Sequence, residues 1–224
     1  TAIQHNHSDI AQILLSANAD ITLIDPATQG TALYTAAEKG HTELVKSLLK
    51  KDTNINYQGK ENHTPLTIAT INGHVEVVQA LIDAGASIDY KGTGVADHKA
   101  YELLYSKNQE EPYRSILRLL LIEEAKRNPK VLYELLDNFR ADPAALLIPY
   151  VDSKIINYQD SKNGETPLIK AASRGYSNVV KLLLQYGAKP DLRDKKGNKA
   201  IELLYRPDNE PYKSIADLLL KAEA

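Results

Sequence analysis

One segment recurs along the chain, and this repetition constrains the fold more than any other feature of the sequence. A first block begins at Thr31 and reads TALYTAAEKGHTELVKSLLKK, and a second begins 33 residues later at Thr64 and reads TPLTIATINGHVEVVQALIDAGA. A third, TPLIKAASRGYSNVVKLLLQYGA, begins at Thr166. A fixed period of about 20–50 residues is typical of proteins built from stacked units. Because one unit cannot bury its own apolar face, stability must come from stacking.

Each block carries the signals of two short helices. Thr64 is a favourable N-cap, and Pro65 fits the first helical turn, where no amide hydrogen bond is lost. Gly73 suits a left-handed turn between the helices. Residues 77–82 place apolar side chains at helical spacing and predict a buried face. Gly85 then ends the second helix.

These blocks resemble the ankyrin repeat: a Thr-Pro-Leu opening, a Gly-His turn, a Val-Val-x-x-Leu-Leu ridge, Gly-Ala and a polar loop. The resemblance implies an all-α ankyrin-repeat solenoid of about seven helix–turn–helix units with short β-hairpin fingers. We predict a single domain over residues 1–224. Its predicted repeats are approximately 1–30 (truncated), 31–63, 64–97, 98–127 (extended loop), 128–165 (degenerate), 166–198 and 199–224 (extended loop).

Some units depart from the pattern. In the first, Asn18 stands where the others have glycine, and asparagine also tolerates a left-handed backbone. In the fifth, Pro149 predicts the end or a kink of a helix. The two extended units each carry a Glu-Leu-Leu-Tyr motif and a later Glu-Pro-Tyr, which place Pro112 and Pro211 at the start of a second helix. Their tyrosines either close the loop over the helix pair or contact a partner: Tyr105, Tyr113, Tyr205 and Tyr212.

The resemblance also implies which positions meet a partner, because fingers and first helices line a concave groove in this family. The first-helix positions are Glu38, Lys39, Ile71, Asn72, Ser173 and Arg174. The finger positions are Tyr57, Gln58, Lys60, Tyr90, Lys91, Tyr158, Gln159, Lys162 and Arg193. Tyrosine is enriched at binding hot spots because it offers a large contact area with little entropy to lose. The alternative is that the three tyrosine rings only cover the bases of the hairpins.

Two further roles follow from the resemblance. His41 and His74 occupy the Gly-His position, where a ring nitrogen usually bonds to the backbone and ties neighbouring loops together. Asn56 and Asn157 occupy the finger-base position that an oxygen-dependent hydroxylase can modify in related proteins. For these asparagines, a side-chain hydrogen bond that steadies the hairpin is the expected primary role, and hydroxylation is the second.

Composition narrows the classes of function. A formal net charge of −2 gives no general attraction to nucleic acid. No apolar run approaches the ~18–20 residues of a membrane-spanning helix. The absence of cysteine excludes zinc–thiolate sites and thiol nucleophiles and leaves the compartment open. There is no P-loop, Gly-x-Ser-x-Gly or His-Glu-x-x-His motif. We therefore expect no catalytic residue, no cofactor and no metal.

These observations favour a protein–protein interaction module that binds another protein, is monomeric by itself and acts in the cytoplasm of its own or a host cell. The alternative is the substrate-targeting arm of a larger enzyme or bacterial effector whose catalytic domain lies outside this sequence. The chain begins at Thr1 without a methionine, which predicts a piece of a longer protein.

Overall fold

The chain folds into two compact units, Thr1–Leu120 and Leu121–Ala224, called the N-terminal and C-terminal units below. A computed structural model describes residues 2–3, 8–51, 53–91, 97–105, 107, 110–138, 140–204 and 209–224; for residues 8, 90, 91, 97 and 98 it describes the backbone alone. The single domain and the repeat boundaries inferred from the sequence stay predictions.

In the N-terminal unit, short helices alternate with polar loops. The helices are α1 (Ser8–Ser16), α2 (Ala32–Glu38), α3 (Thr42–Leu49), α4 (Pro65–Ile71), α5 (Val75–Asp83) and the start of α6 (Tyr113–Arg127). Two strands, β1 (Asp89–Lys91) and β2 (Asp97–Lys99), form one antiparallel pair. Two 3₁₀ turns cover Lys60–Asn62 and Ala100–Leu104.

The C-terminal unit continues the pattern with one addition. Its helices are α7 (Val131–Asp137), α8 (Ala141–Leu147), α9 (Ser153–Ile156), α10 (Pro167–Ser173), α11 (Ser177–Gln185) and α12 (Tyr212–Glu223). The 3₁₀ turns are Ile148–Tyr150 and Ala200–Leu203. Helix α8 ends immediately before the turn that contains Pro149, as predicted. The short helix α9 was not predicted.

Within each unit, helices of the same kind pack together. In the N-terminal unit α2 packs on α4 and α3 packs on α5, while each pair is also packed within itself. In the C-terminal unit α7 packs on α10 and α8 packs on α11. The apolar face predicted for α5 is buried, with Val78 and Leu81 inaccessible to solvent. Neighbouring pairs therefore bury each other's apolar faces, which is how stacked units are stabilised.

Local signals in the sequence begin and end these helices where predicted. The Thr64 hydroxyl accepts a hydrogen bond from the Thr67 amide at 3.2 Å, and Thr166 caps α10 in the same way. The glycines between paired helices have φ of +72° at Gly40, +77° at Gly73 and +76° at Gly175. Asn18, with φ of +57°, adopts the left-handed conformation predicted for it.

The predicted β-hairpin fingers are present only in part. Within the described residues, strands pair only between β1 and β2. Three other polar loops are turns. A backbone hydrogen bond joins the two ends of each turn: Gly59 N to His63 O (2.9 Å), Asp160 N to Glu165 O (2.9 Å) and Asp194 N to Asn198 O (3.0 Å). In the last two loops, aspartate side chains accept the amide N–H groups inside the turn. Those amides are therefore unavailable for a strand ladder.

In each extended loop, a proline packs beside a glycine of the preceding repeat. A methyl group added to Gly73 would lie 2.8 Å from Pro112 Cγ, and one added to Gly175 would lie 3.0 Å from Pro211 Cγ. The same added methyl groups would lie 3.5 Å from the ring of Tyr113 and 3.4 Å from the ring of Tyr212. This shared arrangement supports a structural role for these two tyrosines, while Tyr205 lies outside the described residues.

We expect Gly175→Ala to reduce the free energy of unfolding by about 2 kcal/mol and Gly187→Ala by about 1 kcal/mol. Both glycines have a left-handed backbone, with φ of +76° and +91°. A methyl group at Gly187 would meet no atom within 4 Å, so that variant carries only the backbone cost. Urea unfolding measures the difference, and equal losses would show that Pro211 does not constrain Gly175.

Tyr34 fills the space between two polar loops of the N-terminal unit. It occupies the position in α2 that Thr67 holds in α4, and it is 2% exposed. A methyl group added to Gly59 would lie 2.8 Å from the Tyr34 ring. Burial, together with the charges of Glu38 and Glu61, raises the pKa of Tyr34 to about 12.

This raised pKa predicts that the N-terminal unit weakens at high pH. The ordinary pKa of the phenol is 10.0. The stability gained by burying the neutral Tyr34 phenol is therefore fully present below that pH and is lost as the pH rises towards 12. Between about pH 9 and about pH 11, the wild type should lose about 1 kcal/mol more than Tyr34→Phe. Urea unfolding followed by circular dichroism makes the comparison. Parallel losses in the two proteins would contradict the assignment.

Candidate functional site

The sequence-predicted contact residues lie on the first helices and on the polar loops. We call the surface that they form in each unit the finger-side face of that unit. In the N-terminal unit it comprises α2, α4 and loop residues 54–63, and in the C-terminal unit α7, α10 and loop residues 157–165 and 189–199. The surface formed by the second helices is called the back.

Two asparagines fasten the finger loops to the repeat that follows. Asn56 Oδ1 accepts a hydrogen bond from Ser87 N at 2.9 Å. Asn157 Oδ1 accepts one from Lys189 N at 2.8 Å, and its Nδ2 donates to Gly187 O at 3.1 Å. The side chains therefore steady the loops, as expected, by linking successive repeats. Their hydroxylation stays a prediction.

The tyrosines after these asparagines are partly exposed. Tyr57 and Tyr158 both have intermediate exposure, and each is followed by an exposed glutamine. The ring of Tyr158 lies 6.2 Å from that of Tyr133, centroid to centroid, at 52°. Gln159 donates from Nε2 to Arg193 O at 3.0 Å, which connects the loop to its neighbour. The side chains of Tyr90 and Lys91 lie outside the described atoms, so a continuous strip of Tyr57 and Tyr90 stays a prediction.

Several predicted contact residues on the first helices also join neighbouring repeats. Glu38 O accepts hydrogen bonds from Asn72 Nδ2 and from His74 Nε2, each at 3.0 Å. Arg174 Nη2 donates to Asp137 O at 3.0 Å. Ser173 Oγ donates to the carbonyl of Lys170 in its own helix at 3.0 Å. Three further predicted residues of the finger-side face are exposed: Lys39, Gln58 and Lys60. Ile71 is partly exposed.

The two Gly-His histidines behave differently. His74 ties its loop to the preceding repeat through the Glu38 carbonyl, as predicted. The Nε2 atom of His41 is buried and has no hydrogen-bond partner among the residues that the structure describes. The predicted loop-tying bond is therefore seen for His74 alone in the described part of the chain.

A connected polar cluster occupies the finger-side face of the C-terminal unit. Lys170 Nζ lies 2.6 Å from Glu165 Oε2 and 3.1 Å from Asp137 Oδ1. Tyr133 OH donates to Glu165 Oε2 at 3.0 Å, and the Lys170 ammonium stands 5.2 Å from the centre of the Tyr133 ring. The Lys170 side chain is 11% exposed and that of Glu165 is 19% exposed, so this ion pair is largely shielded from solvent.

The charges within this cluster stabilise one another. Burial opposes the charge of Lys170, but the hydrogen bonds with Glu165 and Asp137 outweigh it and raise the pKa of the ammonium. The hydrogen bond from Lys170 in turn lowers the pKa of Asp137. Burial raises the pKa of Tyr133. At neutral pH Lys170 is therefore held in its charged form beside an ionised Asp137.

An apolar groove of about 400 Å³ lies beside α1 in the N-terminal unit. Ile10 and Leu14 of α1 are 49% and 48% exposed, while Leu44 and Leu48, at the equivalent positions of α3, are each 2% exposed. The difference arises because α2 packs on α3. This groove is lined mainly by aliphatic side chains and presents few directional groups.

Two features are absent from the described residues. No group of three or more histidine, aspartate and glutamate side chains is placed to hold a metal ion there. No helix in the same residues has both the length and the hydropathy needed to cross a membrane.

Sequence reasoning missed the members of the polar cluster: Tyr133, Asp137, Glu165 and Lys170. Tyr133 and Asp137 belong to the degenerate fifth repeat, whose register the sequence did not reveal. Lys170 stands where α2 has Thr35 and α4 has Ile68, so a charged residue at an otherwise neutral or apolar position was the available signal.

Comparison with known structures identifies the fold. The chain is similar over 98% of its length to 96% of the ankyrin repeat domain of Bcl-3, a member of the IκB family, with a TM-score of 0.60 at 16% identity. It is similar over 86% of its length to 97% of an ankyrin repeat domain from Acinetobacter baumannii AYE, with a TM-score of 0.54 at 26% identity.

Sequence comparison agrees. A segment of 61 residues, 27% of this chain, is 41% identical to the E3 ubiquitin-protein ligase KEG of Arabidopsis thaliana, and it spans only 4% of that ligase. The family of ankyrin repeats (3 copies) matches residues 1–92 and 106–223. These matches confirm the predicted all-α ankyrin-repeat fold. Ankyrin repeat domains are generally protein–protein interaction modules, and this chain belongs to the ankyrin repeat family.

Proposed function

We propose that the chain is a protein-recognition module that binds a partner protein on its finger-side face. The observation that carries this proposal is the pair of finger-base tyrosines, Tyr57 and Tyr158, which stand at equivalent places in two repeats. Each ring is partly exposed and follows an asparagine that is bonded to the backbone of the next repeat. In this proposal the chain binds and does not catalyse.

The arrangement suits binding because the fixed loops lose little conformational entropy when a partner binds. The loop of Tyr158 is fixed by Asn157, by Gln159 and by the neighbouring Tyr133 ring. A ring held in this way presents a large apolar area and loses few conformations on binding. The charged cluster around Lys170 lies beside it and supplies the polar contacts that set orientation.

The test begins by capturing a partner with the immobilised chain, identifying it by mass spectrometry and purifying it. Calorimetric titration then compares the wild type with a variant that combines Tyr57→Ala and Tyr158→Ala. Loss of a tyrosine anchor costs about 2 kcal/mol or more, so the affinity should fall roughly thirtyfold or further. The helical circular dichroism should remain unchanged.

Tyr186→Ala is the matched control, because Tyr186 is 40% exposed and caps the second helix α11. We expect this variant to keep the wild-type affinity. A second comparison combines Tyr105→Ala with Tyr113→Ala. If only that pair weakens binding while its helical circular dichroism stays unchanged, recognition uses the extended loop and the proposed finger-side face is wrong.

A second candidate is the substrate-targeting arm of a larger enzyme. The match to part of a plant ubiquitin ligase favours it, since that ligase carries a similar segment within a much longer chain. Sequencing the full open reading frame decides between the two. A catalytic domain in the same frame supports the targeting arm, and a frame made only of repeats favours the isolated module.

We propose that the chain is a monomer by itself, which sedimentation velocity tests directly.

We also propose hydroxylation of Asn56 and Asn157 as a modification of the finger bases. Intact mass after incubation with an asparagine hydroxylase should increase by one oxygen atom, and an unchanged mass would dispose of the modification.

A further inference from the structure

Two neighbouring fingertips of the C-terminal unit are locked together by hydrogen bonds. Lys195 N donates to Asn163 O at 2.8 Å, and Lys195 Nζ donates to Ser161 O at 2.6 Å. Gln159 Nε2 bridges to Arg193 O at 3.0 Å. These bonds join loop residues 159–164 to loop residues 193–198 in one fixed edge.

Three lysines project from this edge: Lys162, Lys195 and Lys196. All three are exposed. Within the described residues none of them forms a direct ion pair with a carboxylate, and the ion pairs nearby involve other cations. Lys170 is paired with Glu165, and Arg193 lies 3.2 Å from Glu202. Lys195 has given one of its three donors to Ser161 and retains two.

The carboxylates of the two fingertips, Asp160 and Asp194, accept hydrogen bonds from backbone amides of their own turns. Asp160 Oδ2 accepts from the amides of Lys162 and Asn163 at 2.9 and 3.1 Å. Asp194 Oδ1 accepts from the amides of Lys196 and Asn198 at 2.9 and 2.8 Å. Desolvation opposes the charge of Asp194, but hydrogen bonds from Asn198 and Lys196 and the charge of Lys196 outweigh it and hold the pKa of Asp194 below its ordinary value. Asp194 therefore stays ionised. Both acids are bonded to backbone amides, while the three lysine side chains are exposed.

We propose that this lysine edge recognises an acidic peptide segment of the partner protein. The inference rests on the proposed function and specifies the chemistry of its ligand. Separated carboxylates on a peptide can meet three ammonium groups while avoiding Asp160 and Asp194. A dense phosphate backbone would meet the two aspartates as well, and the chain's net charge of −2 offers it no general attraction. Acidic peptide is therefore favoured over nucleic acid.

The test uses a fluorescein-labelled hexaglutamate peptide and fluorescence anisotropy. We expect binding at about 20 mM salt and weaker binding at about 200 mM salt, because exposed charges are screened. The tip variant carries Lys162→Gln, Lys195→Gln and Lys196→Gln, and it should bind at least tenfold more weakly. The backbone bond from residue 195 to Asn163 is retained in this variant.

The control variant removes the same charge from exposed lysines on the second helices α11 and α12: Lys181→Gln, Lys213→Gln and Lys221→Gln. It should bind like the wild type. Matching circular dichroism and melting temperatures establish that both variants are folded.

Three results would overturn the proposal. These are equal losses in the tip and control variants, no binding of hexaglutamate by the wild type, and tighter binding of oligothymidylate than of hexaglutamate. The first would indicate general charge attraction, and the last would indicate nucleic acid. The titration of the Tyr57→Ala, Tyr158→Ala variant tests the proposed function independently. Partner binding that depends on Tyr57 and Tyr158 would therefore support the proposed function even if hexaglutamate does not bind.

Discussion

Val78→Asp should unfold at least the repeats around α5. The Val78 side chain is fully buried within the helix stack. An aspartate there would have to lose its hydration or force the helices apart, so we expect the free energy of unfolding to fall by about 4 kcal/mol or more. Thermal unfolding followed by circular dichroism would show the loss as an early transition or as a large drop in the melting temperature.

Lys60→Asp is the control for this prediction. Lys60 is exposed on a loop of the finger-side face, where a charge remains hydrated. Its replacement should change stability by less than about 0.5 kcal/mol. Similar losses for Val78→Asp and Lys60→Asp would contradict the division between the buried helix faces and the exposed loops.

Lys170→Met should destabilise the C-terminal unit by about 2 to 3 kcal/mol. The substitution retains most of the apolar stem but leaves Glu165 without the ammonium that lies 2.6 Å away. It also removes the charge that holds the pKa of Asp137 low. Urea unfolding at neutral pH measures the loss, and Lys181→Met, at an exposed position of α11, should cost little.

A second substitution tests whether electrostatics explains this loss. Adding Glu165→Gln to Lys170→Met removes the unpaired carboxylate, so the double variant should recover part of the lost stability. Additive losses would show that the ion pair between Lys170 and Glu165 contributes nothing to the stability of the unit.

The helix pairs were predictable because each carries its boundaries in the sequence. Thr64 and Thr166 cap the helices that they precede, and the backbone at Gly73 and Gly175 is left-handed. The same signals are weak in the fifth repeat. Pro149 correctly ended α8, but no pattern revealed α9 or the position of Tyr133 beside Tyr158.

The finger loops were harder to predict because several hydrogen-bonding patterns satisfy the same polar residues. Asp160 and Asp194 fold their loops around their own carboxylates, which replaces the strand pairing expected there. The sequence indicated correctly that Asn157 steadies a finger. Its partners, Lys189 and Gly187, belong to the next repeat, and only the stacked structure brings them within reach.

Site-specific photo-crosslinking to the partner tests the central claim, recognition through the finger-side face, most directly. A photoreactive phenylalanine analogue would replace one exposed residue at a time: Gln58 or Lys162 on the finger-side face, and Glu76 or Lys181 on the back. We predict that the partner is captured from Gln58 or Lys162 and not from the other two positions. Capture from Glu76 or Lys181, with none from Gln58 or Lys162, would contradict the proposed binding face.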